Sequence, residues 1–588
     1  MKEVKVGLAS CGIVAGGLEV YDRFSELIDP EKDQVILKKT GCNGMCFREV
    51  LVEVIEDSKR RTLYGEVTPK KVDGIVKEHL REGKVISKWV VKDEEEFLKR
   101  QKRIVLHNCG KIDPLNIEDY LARDGYKALK KVLAEMTPDQ AIEEVSRAGL
   151  RGRGGGGFLA GRKWRTCREA SGDIRYVICN ADEGDPGAYM DRSMLEGDPH
   201  SVLEGMVIGA YAISYGVSPV QGFIYVRHEY PLALKHFSRA VEQAREYGFL
   251  GKDILGKAGF NFDIQISRGG GAFVCGESSA LMASLEGRIG EPRPKHIHTV
   301  EKGLYGKPSN LNNVETWANV PLIITRGAKW FSSIGTEGSK GTKIFSLVGK
   351  INNTGLIEVP MGISLREIIY DIGGGIPAGK KFKAVQTGGP SGGCIPESLI
   401  DTSVDFDRLT ELGSMMGSGG MIVMDQDTCM VDMARYFVKF LTEESCGKCV
   451  PCRVGLDRML DILTDITEGN GRQGDIELLE ELGEVIKETS LCALGKTAAN
   501  PVLSTIKYFR EEYEAHIRDH RCPAGVCKAL ITFTIDEDKC NGCGVCLKNC
   551  PEEAISGEKK EPHKIAQEKC IKCGLCRELC KFDAVIVS

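Results

Sequence analysis

Residues 445–452 read SCGKCVPC and place Cys446, Cys449 and Cys452 within eight positions. Three thiolates on so tight a turn make most of a metal–sulfur site, but such centres want four ligands. The missing ligand has to come from elsewhere in the chain. With 588 residues the chain exceeds what one hydrophobic core supports, so several domains are expected. Hydrophobic residues at 42% and charged residues at 28% are ordinary for a globular protein. A net charge of only -5 argues against a nucleic-acid or polyanion binder. No apolar run reaches membrane-spanning length, and MKEVKVGLAS lacks the apolar core of a signal peptide, so a cytoplasmic location is expected. Cysteine is the outlier: there are 23, and eight fall in the last 49 residues. In a reducing compartment such clusters point to metal or iron–sulfur ligation rather than disulfides. The 69 glycines also gather, in GRGGGGF and SRGGGAF. Together these excesses suggest a redox protein loaded with cofactors.

The chain divides by pattern into five parts, which predict a multidomain α/β protein. Residues 1–90 alternate strand-like runs (EVKVGLAS, DQVILKKTG, VLVEVIE) with a helical stretch, a small α/β unit. From 105 to 340, strands such as IRYVICNAD and GFIYVRHEY alternate with helices, which predicts a parallel sheet. Residues 342–400 are strand-rich and punctuated by glycine, consistent with a small α+β insert. From 403 to 520 the pattern is helical, and 530–588 holds an internal repeat.

That repeat reads CNGCGVCLKNCP and then CIKCGLCRELCK. Both copies resemble bacterial ferredoxins in their C-x2-C-x2-C-x3-C spacing, in which the fourth cysteine crosses to the other cluster. The resemblance implies one 4Fe-4S cluster on Cys540, Cys543, Cys546 and Cys580. It implies a second on Cys570, Cys573, Cys576 and Cys550. Pro551 follows the first copy; Lys581 replaces it in the second. For the stretch at 445–452, the SLCALGK segment 40 residues past Cys452 offers Cys492 as fourth ligand. On spacing alone a zinc site of the same four cysteines stays open.

ESCGKCVPCRVG followed by SLCALG resembles the cluster motif of the NADH-oxidising flavoprotein subunit of respiratory complex I, with relatives in NAD-linked hydrogenases, formate dehydrogenases and electron-bifurcating enzymes. The likeness spans about 145–500. The extensions at both ends are most similar to the B subunits of bifurcating hydrogenases and of three-subunit NADH-dependent ferredoxin:NADP oxidoreductases. The resemblance implies a thioredoxin-like domain over 1–90, an FMN- and NAD(P)-binding domain over 105–340, and a ubiquitin-like β-grasp insert over 342–400. A helical 4Fe-4S domain over 403–520 and a two-cluster ferredoxin domain over 530–588 complete it. It further implies hydride exchange with NAD(P)(H), and single-electron exchange with ferredoxin and partner subunits. The chain has no hydrogenase or molybdenum motifs of its own, so a separate catalytic subunit is expected: a hydrogenase, an NADPH-binding flavoprotein (transhydrogenase chemistry) or a formate dehydrogenase. A small thioredoxin-like 2Fe-2S subunit is expected beside it.

GLRGRGGGGFLAGRKW (149–164) is neither a Walker loop nor a dinucleotide turn; its glycines let backbone approach a flat or phosphorylated ligand, with Arg153 and Lys163 as positive charge. The resemblance makes Gly152, Arg153, Gly154, Gly157 and Lys163 candidate FMN contacts, with Phe158 stacking on the nicotinamide side. From ICNADEGDPGAYMDR it adds Asn180, Asp182 and Glu183, and from GGGAFVCGESSALMASLEG it adds Phe273, Gly276 and Glu277. LNNVET contributes Asn312 and Asn313. No acid–base residue is needed for hydride transfer. Complex I-type relatives carry two adjacent glutamates after CG; here Ser278 follows Glu277. A carboxylate there repels a 2′-phosphate, so its loss relaxes discrimination against NADP(H). NAD(H) remains the expected nucleotide, with Lys295 near its phosphates. Ser278 and Thr166, which stands where an aromatic is expected, leave open a relay or scaffold subunit with a decayed nucleotide site.

Two smaller sites remain. A thioredoxin-like 2Fe-2S ferredoxin has C-x4-C and later C-x3-C. TGCNGMC supplies Cys42 and Cys46, and Cys11 is one of the earlier pair. Five residues to either side of Cys11 lie Val6 and Gly16, neither a good ligand, so the domain either holds an incomplete site or serves as a docking module. In AHIRDHRCPAGVC, His516, His520, Cys522 and Cys527 have zinc-like spacing. One histidine is spare, and Cys429 is a candidate fourth ligand; a capped helix end with free thiols is the alternative.

Overall fold

RYVICNA carries apolar residues on both faces, Val177, Cys179 and Ala181 on one and Tyr176 and Ile178 on the other, and such a strand is stable only where helices cover both sides. In the computed structural model, which describes residues 2–56, 60–294 and 296–588, it is β5 (Arg175–Ala181), buried along nearly its whole length. It lies inside a sheet of order β7-β6-β5-β8 with β6 (Val220–Arg227), β7 (Ile264–Gly269) and β8 (Ser309–Asn313). Every pairing in this sheet is parallel. Helix Pro199–Ser214 is buried at every residue. It crosses helix Val314–Arg326 where Gly205 meets Trp317; a Cβ at Gly205 would lie 2.1 Å from the Trp317 carbonyl oxygen. Trp164 and Trp317 fill the interior beside that crossing, their rings 5.6 Å apart.

The amino-terminal segment forms a four-stranded sheet, β2-β1-β3-β4, from β1 (Lys2–Gly7), β2 (Val35–Thr40), β3 (Val52–Ile55) and β4 (Arg61–Tyr64). β1 runs parallel to β2 and antiparallel to β3, and Val4, Val6, Val20, Phe24 and Val52 make its core. A mixed five-stranded sheet, β10-β9-β13-β11-β12, follows the parallel one. Its strands are β9 (Thr342–Gly349), β10 (Gly355–Pro360), β11 (Phe382–Thr387), β12 (Gly393–Pro396) and β13 (Gly420–Asp425).

β13 corrects the expected boundary. The insert does not end at residue 400, and the helical region does not begin at 403: β13 pairs in parallel with β9 at the centre of the insert's sheet. A short continuous apolar run such as GMIVMD has no period that separates a buried strand from a buried helix.

The chain forms two compact units, one of residues 1–423 with 491–494, the other of residues 424–490 with 495–588. The second unit carries the long helices Met430–Glu443, Val450–Thr467, Asp475–Thr489 and Asn500–Arg518. Its tail pairs β14 (Phe533–Ile535) with β17 (Val585–Val587), and β15 (Ile555–Ser556) with β16 (Lys564–Ile565). Among the described residues no helix is long and apolar enough to cross a membrane.

Candidate functional site

The segments singled out from sequence meet at the carboxyl edge of the parallel sheet, where loops of α/β folds open into a crevice. β5 runs into Asp182 and Glu183, β7 leads to Phe273–Gly276, and β8 ends in Asn312 and Asn313. The register sets Asn180 beside Asn313 and Cys179 beside Asn312. The glycine loop reaches the same edge: a Cβ on Gly154 would lie 3.0 Å from the Asn313 Cβ, whereas one on Gly156 would meet nothing within 4 Å. Gly155 and Gly157 have φ of 110° and 59°, which side-chain-bearing residues rarely adopt. A Cβ on Gly276 would find only Asp182 within reach, its nearest atom 3.5 Å away. The crevice thus has bare backbone on two walls, a cradle suited to a flat ligand. Phe158, 52% exposed, follows the loop with the Arg162 guanidinium 5.7 Å from its ring.

Side chains tie these segments together. The Asn180 amide donates to the Gly276 carbonyl at 2.9 Å and its oxygen accepts from the Asp182 N–H at 3.0 Å. The buried Glu183 carboxylate accepts from the N–H of Asp191 (3.0 Å) and of Arg192 (3.2 Å), and from the Tyr230 hydroxyl (3.2 Å). Burial nevertheless holds its pKa above the usual carboxylate range. Lys163 donates to the Leu311 carbonyl, one residue before Asn312, and burial brings its ammonium down to about 8. Asn313 caps helix Val314–Arg326 and donates to Asp191. Glu277 caps helix Ser278–Leu285, accepting from the N–H groups of Ser279 and Ala280 and from the Ser278 hydroxyl. Lys295 lies outside the described residues.

One expectation is corrected. The Arg153 side chain does not face the crevice: its guanidinium is buried and donates to the carbonyls of Arg151 (2.8 Å), Lys340 (2.6 Å) and Thr342 (3.1 Å), 3.9 Å from Glu315. Burial lowers it to about 10. Glu315 also pairs with the buried Lys343, so this arginine anchors the loop from within. Composition could not say which way it points.

Sequence reasoning missed two contributors. Arg227, at the carboxyl end of β6, donates to the Glu183 carbonyl (2.9 Å) and the Gly271 carbonyl (3.0 Å), linking two segments. Asp185 accepts from the Ser418 hydroxyl, and burial pushes it up to about 6. The GSGG run around Ser418, bridged to the glycine loop through Gly155 and Gly417, was the signal for that contact.

Among the cysteines, one small cavity in the tail is lined by Cys570, Cys573, Cys576 and Cys550, joining the second motif to the last cysteine of the first. Cys550 and Cys580 each accept a backbone N–H four residues on, from Ala554 at 3.3 Å and Ala584 at 3.4 Å. The sharp turns at Gly544 and Gly574, with φ of 72° and 80°, precede the short helices bearing Cys546 and Cys576. Cys449 stands at the start of helix Val450–Thr467, and Cys452 in its first turn lies 3.3 Å from the Ser445 hydroxyl. Thiol donor sets of this type suit iron–sulfur clusters.

Cys429, His516, Cys522 and Cys527 converge, all buried, with ligand atoms within 4.8 Å of one another. The His516 Nε2 lies 3.4 Å from the Cys429 sulfur and 3.3 Å from that of Cys527. Its Nδ1 donates to the Glu512 carbonyl at 2.7 Å, which leaves the Nε2 lone pair facing the sulfurs. His520 is exposed and takes no part.

Cys42 and Cys46 also approach one another, with Cys11 nearby, but among the described residues they do not form a convergent ligand set like that of Cys429, His516, Cys522 and Cys527. Val6 is in the core and Gly16 has no side chain. Gly7 and Gly12 share that five-residue separation but offer no ligand, and a Cβ on Gly12 would lie 3.2 Å from the Glu49 carboxylate. One at Gly12 would also strike the Gly7 carbonyl at 2.4 Å. These residues do not fit a 2Fe-2S cluster.

A glycine-walled crevice at a parallel-sheet edge, with cysteine sets of iron–sulfur spacing downstream, defines an iron–sulfur flavoprotein. Comparisons agree: residues 145–322 match the Nuo51 FMN-binding domain, 432–516 the NADH-ubiquinone oxidoreductase-F iron–sulfur binding region, and 533–587 a 4Fe-4S dicluster domain. The chain is 56% identical over 488 residues to the NADP-reducing hydrogenase subunit HndC of Solidesulfovibrio fructosivorans, covering 83% of this chain and 98% of that one. It is 40% identical to an NADH-quinone oxidoreductase subunit of Escherichia coli, covering 69% of this chain and 90% of the relative. A crystal structure of NAD+-reducing [NiFe]-hydrogenase in the H2-reduced state superposes with a TM-score of 0.63 at 28% identity, covering 88% of this chain and 84% of that one. The chain belongs to the complex I 51 kDa flavoprotein family, as an oxidoreductase subunit with an FMN-binding domain and iron–sulfur binding regions.

Proposed function

We propose that this chain is the flavoprotein subunit of an electron-bifurcating complex, exchanging hydride with NAD(P)(H) and single electrons with ferredoxin and partner subunits. The observation that carries the reading is the coexistence, in one chain, of the family's FMN-binding and iron–sulfur regions with a two-cluster ferredoxin-type tail. Bound FMN would supply the conversion between two-electron and one-electron transfer. Gly152, Gly154, Gly157 and Gly276 provide backbone walls for it. Lys163 offers positive charge, and Asn180, Asp182, Glu183, Asn312 and Asn313 offer polar contacts at the sheet edge. Phe273, beside Gly276, belongs to the same wall. Phe158 is the candidate nicotinamide stacker. Glu277 and Ser278 stand toward the nucleotide, with NAD(H) the expected partner.

Three 4Fe-4S clusters complete the assignment. Cys446, Cys449, Cys452 and Cys492 hold the first, and all four lie in the matched iron–sulfur region. The tail motifs hold the other two with their fourth cysteines exchanged, and the cavity shared by Cys550 with the second motif favours that crossing. Cys429, His516, Cys522 and Cys527 hold zinc in a closed, four-ligand structural site. The remaining subunits would be a thioredoxin-like 2Fe-2S protein and a catalytic subunit. A diaphorase role in a hydrogenase without bifurcation is the second reading, favoured by the likeness to an NADP-reducing and to an NAD+-reducing hydrogenase.

The deciding experiment reconstitutes the full chain with FMN and iron and titrates it anaerobically. NADH should bleach the flavin band. Bleaching by neither NADH nor NADPH, with FMN bound, would make the chain a relay or scaffold; bleaching by NADPH alone would reverse the nucleotide assignment.

A further inference from the structure

The amino-terminal thiols are left without a cluster, yet they are not scattered. Cys46 opens a short helix (Cys46–Arg48) with its sulfur 3.9 Å from that of Cys42 and 3.7 Å from the Tyr189 hydroxyl. The Cys11 thiol is near enough to Cys46 for the two to shift each other's titration. Cys11 lies on helix Ser10–Val14, whose start is clamped by two hydrogen bonds from Ser10 to the Glu196 carboxylate, at 2.8 and 2.5 Å. That clamp brings Cys11 to the Arg192 guanidinium, which donates to its sulfur at 3.8 Å. Arg192 lies 5.3 Å from the Tyr189 ring and 5.6 Å from the Tyr230 ring, and its backbone N–H is held by Glu183. Cys42 is buried, whereas Cys11 and Cys46 are partly exposed. A partly exposed thiol beside a fixed cation is the setting in which thiolate chemistry occurs. An adjoining thiol can then complete a disulfide.

From this geometry we propose that Cys11, Cys46 and Cys42 form a thiol–disulfide redox site, in place of a 2Fe-2S cluster, that reacts with small-molecule disulfides. The Cys11 thiolate attacks one sulfur of the disulfide, forming a mixed disulfide and releasing one thiolate. Cys46 then attacks the Cys11 sulfur, expelling the second thiolate and closing the Cys11–Cys46 bond. The two protein thiols lose two electrons, the small disulfide gains them, and the two thiol protons end on the two released thiols. Cys42 can next attack Cys46, which returns Cys11 as a thiol and moves the bond to Cys42–Cys46. The two sulfurs, now 3.9 Å apart, would have to close to the ~2 Å of a disulfide. The site stands independently of the flavin assignment.

The test uses the full chain with its iron reconstituted, reduced, freed of reductant, and exposed to oxidised glutathione without oxygen. After acid quenching and alkylation, peptide mapping should find Cys46 linked to Cys11 or, after exchange, to Cys42, with loss of alkylatable Cys46. Cys46→Ser should instead retain glutathione on Cys11, and Cys11→Ser should slow the reaction of Cys46. Iron per chain should be the same in wild type, Cys42→Ser and Cys46→Ser. Absence of any Cys46 link in the wild type, whether Cys11 stays reduced or stays glutathionylated, overturns the proposal. So does a fall in iron by one two-iron cluster in either variant. The wild-type map and iron content decide the matter even if a variant folds poorly, because a two-iron cluster on these sulfurs would block the linkage.

Discussion

Glu315 illustrates how much single buried charges matter in this chain. Its carboxylate faces both the Arg153 guanidinium and the Lys343 ammonium, with all three side chains shielded from water. Removing one member of such a set leaves the others charged and unpaired, which costs more than the pair contributes. Glu315→Gln should therefore destabilise the chain by about 3–5 kcal/mol, read from denaturant midpoints. Lys163 gives a pH signature. Its folded pKa of about 8 means that the ammonium, the form that attracts a phosphate, is fully present below pH 8 and is lost as pH rises through it. FMN affinity of the flavin-free chain should be greatest below pH 8 and weaken above it, and Lys163→Met should flatten that dependence in a fluorescence titration. At the four-ligand site, Cys429→Ser should abolish chelator-resistant zinc, measured by metal analysis, and leave iron unchanged.

Elements position these residues more than any single contact does. Asn312 and Asn313 reach the sheet edge because helix Val314–Arg326 starts there, and that helix is fixed by its close crossing over helix Pro199–Ser214. The crossing depends on Gly205 having no side chain. Gly205→Ala should push the two helices apart at a cost of about 1–3 kcal/mol. It should also weaken FMN binding without altering any residue in the crevice; unchanged stability and affinity would show that the helices can shift freely. Much at this scale was legible in sequence. The apolar run of β5 and the alternation of strands with amphipathic helices announced a parallel sheet. β13 was not legible, because GMIVMD has no period and its place beside β9 is set by contacts about 75 residues apart in sequence.

For the molecule as a whole, redox function rests on cofactor sets spread along the chain. Removing residues 531–588 should leave NADH-dependent dye reduction unchanged, while iron falls by the eight atoms of two 4Fe-4S clusters. Retention of ferredoxin reduction by the assembled complex carrying the shortened chain would show that the tail is not an electron exit. Cysteine spacing by itself marked these motifs as metal–sulfur sites, because C-x2-C-x2-C is a local geometry that a single turn satisfies; the resemblance to ferredoxins implied iron–sulfur clusters. The glycine loop was likewise legible, since its need for bare backbone is written in its composition. Tertiary structure alone decided which way Arg153 points, that Cys429 joins His516, Cys522 and Cys527, and that Arg227 and Asp185 hold the crevice. It alone also placed the Glu49 carboxylate against Gly12. Those outcomes depend on burial and on partners far apart in sequence, and local residue spacing carries no record of either.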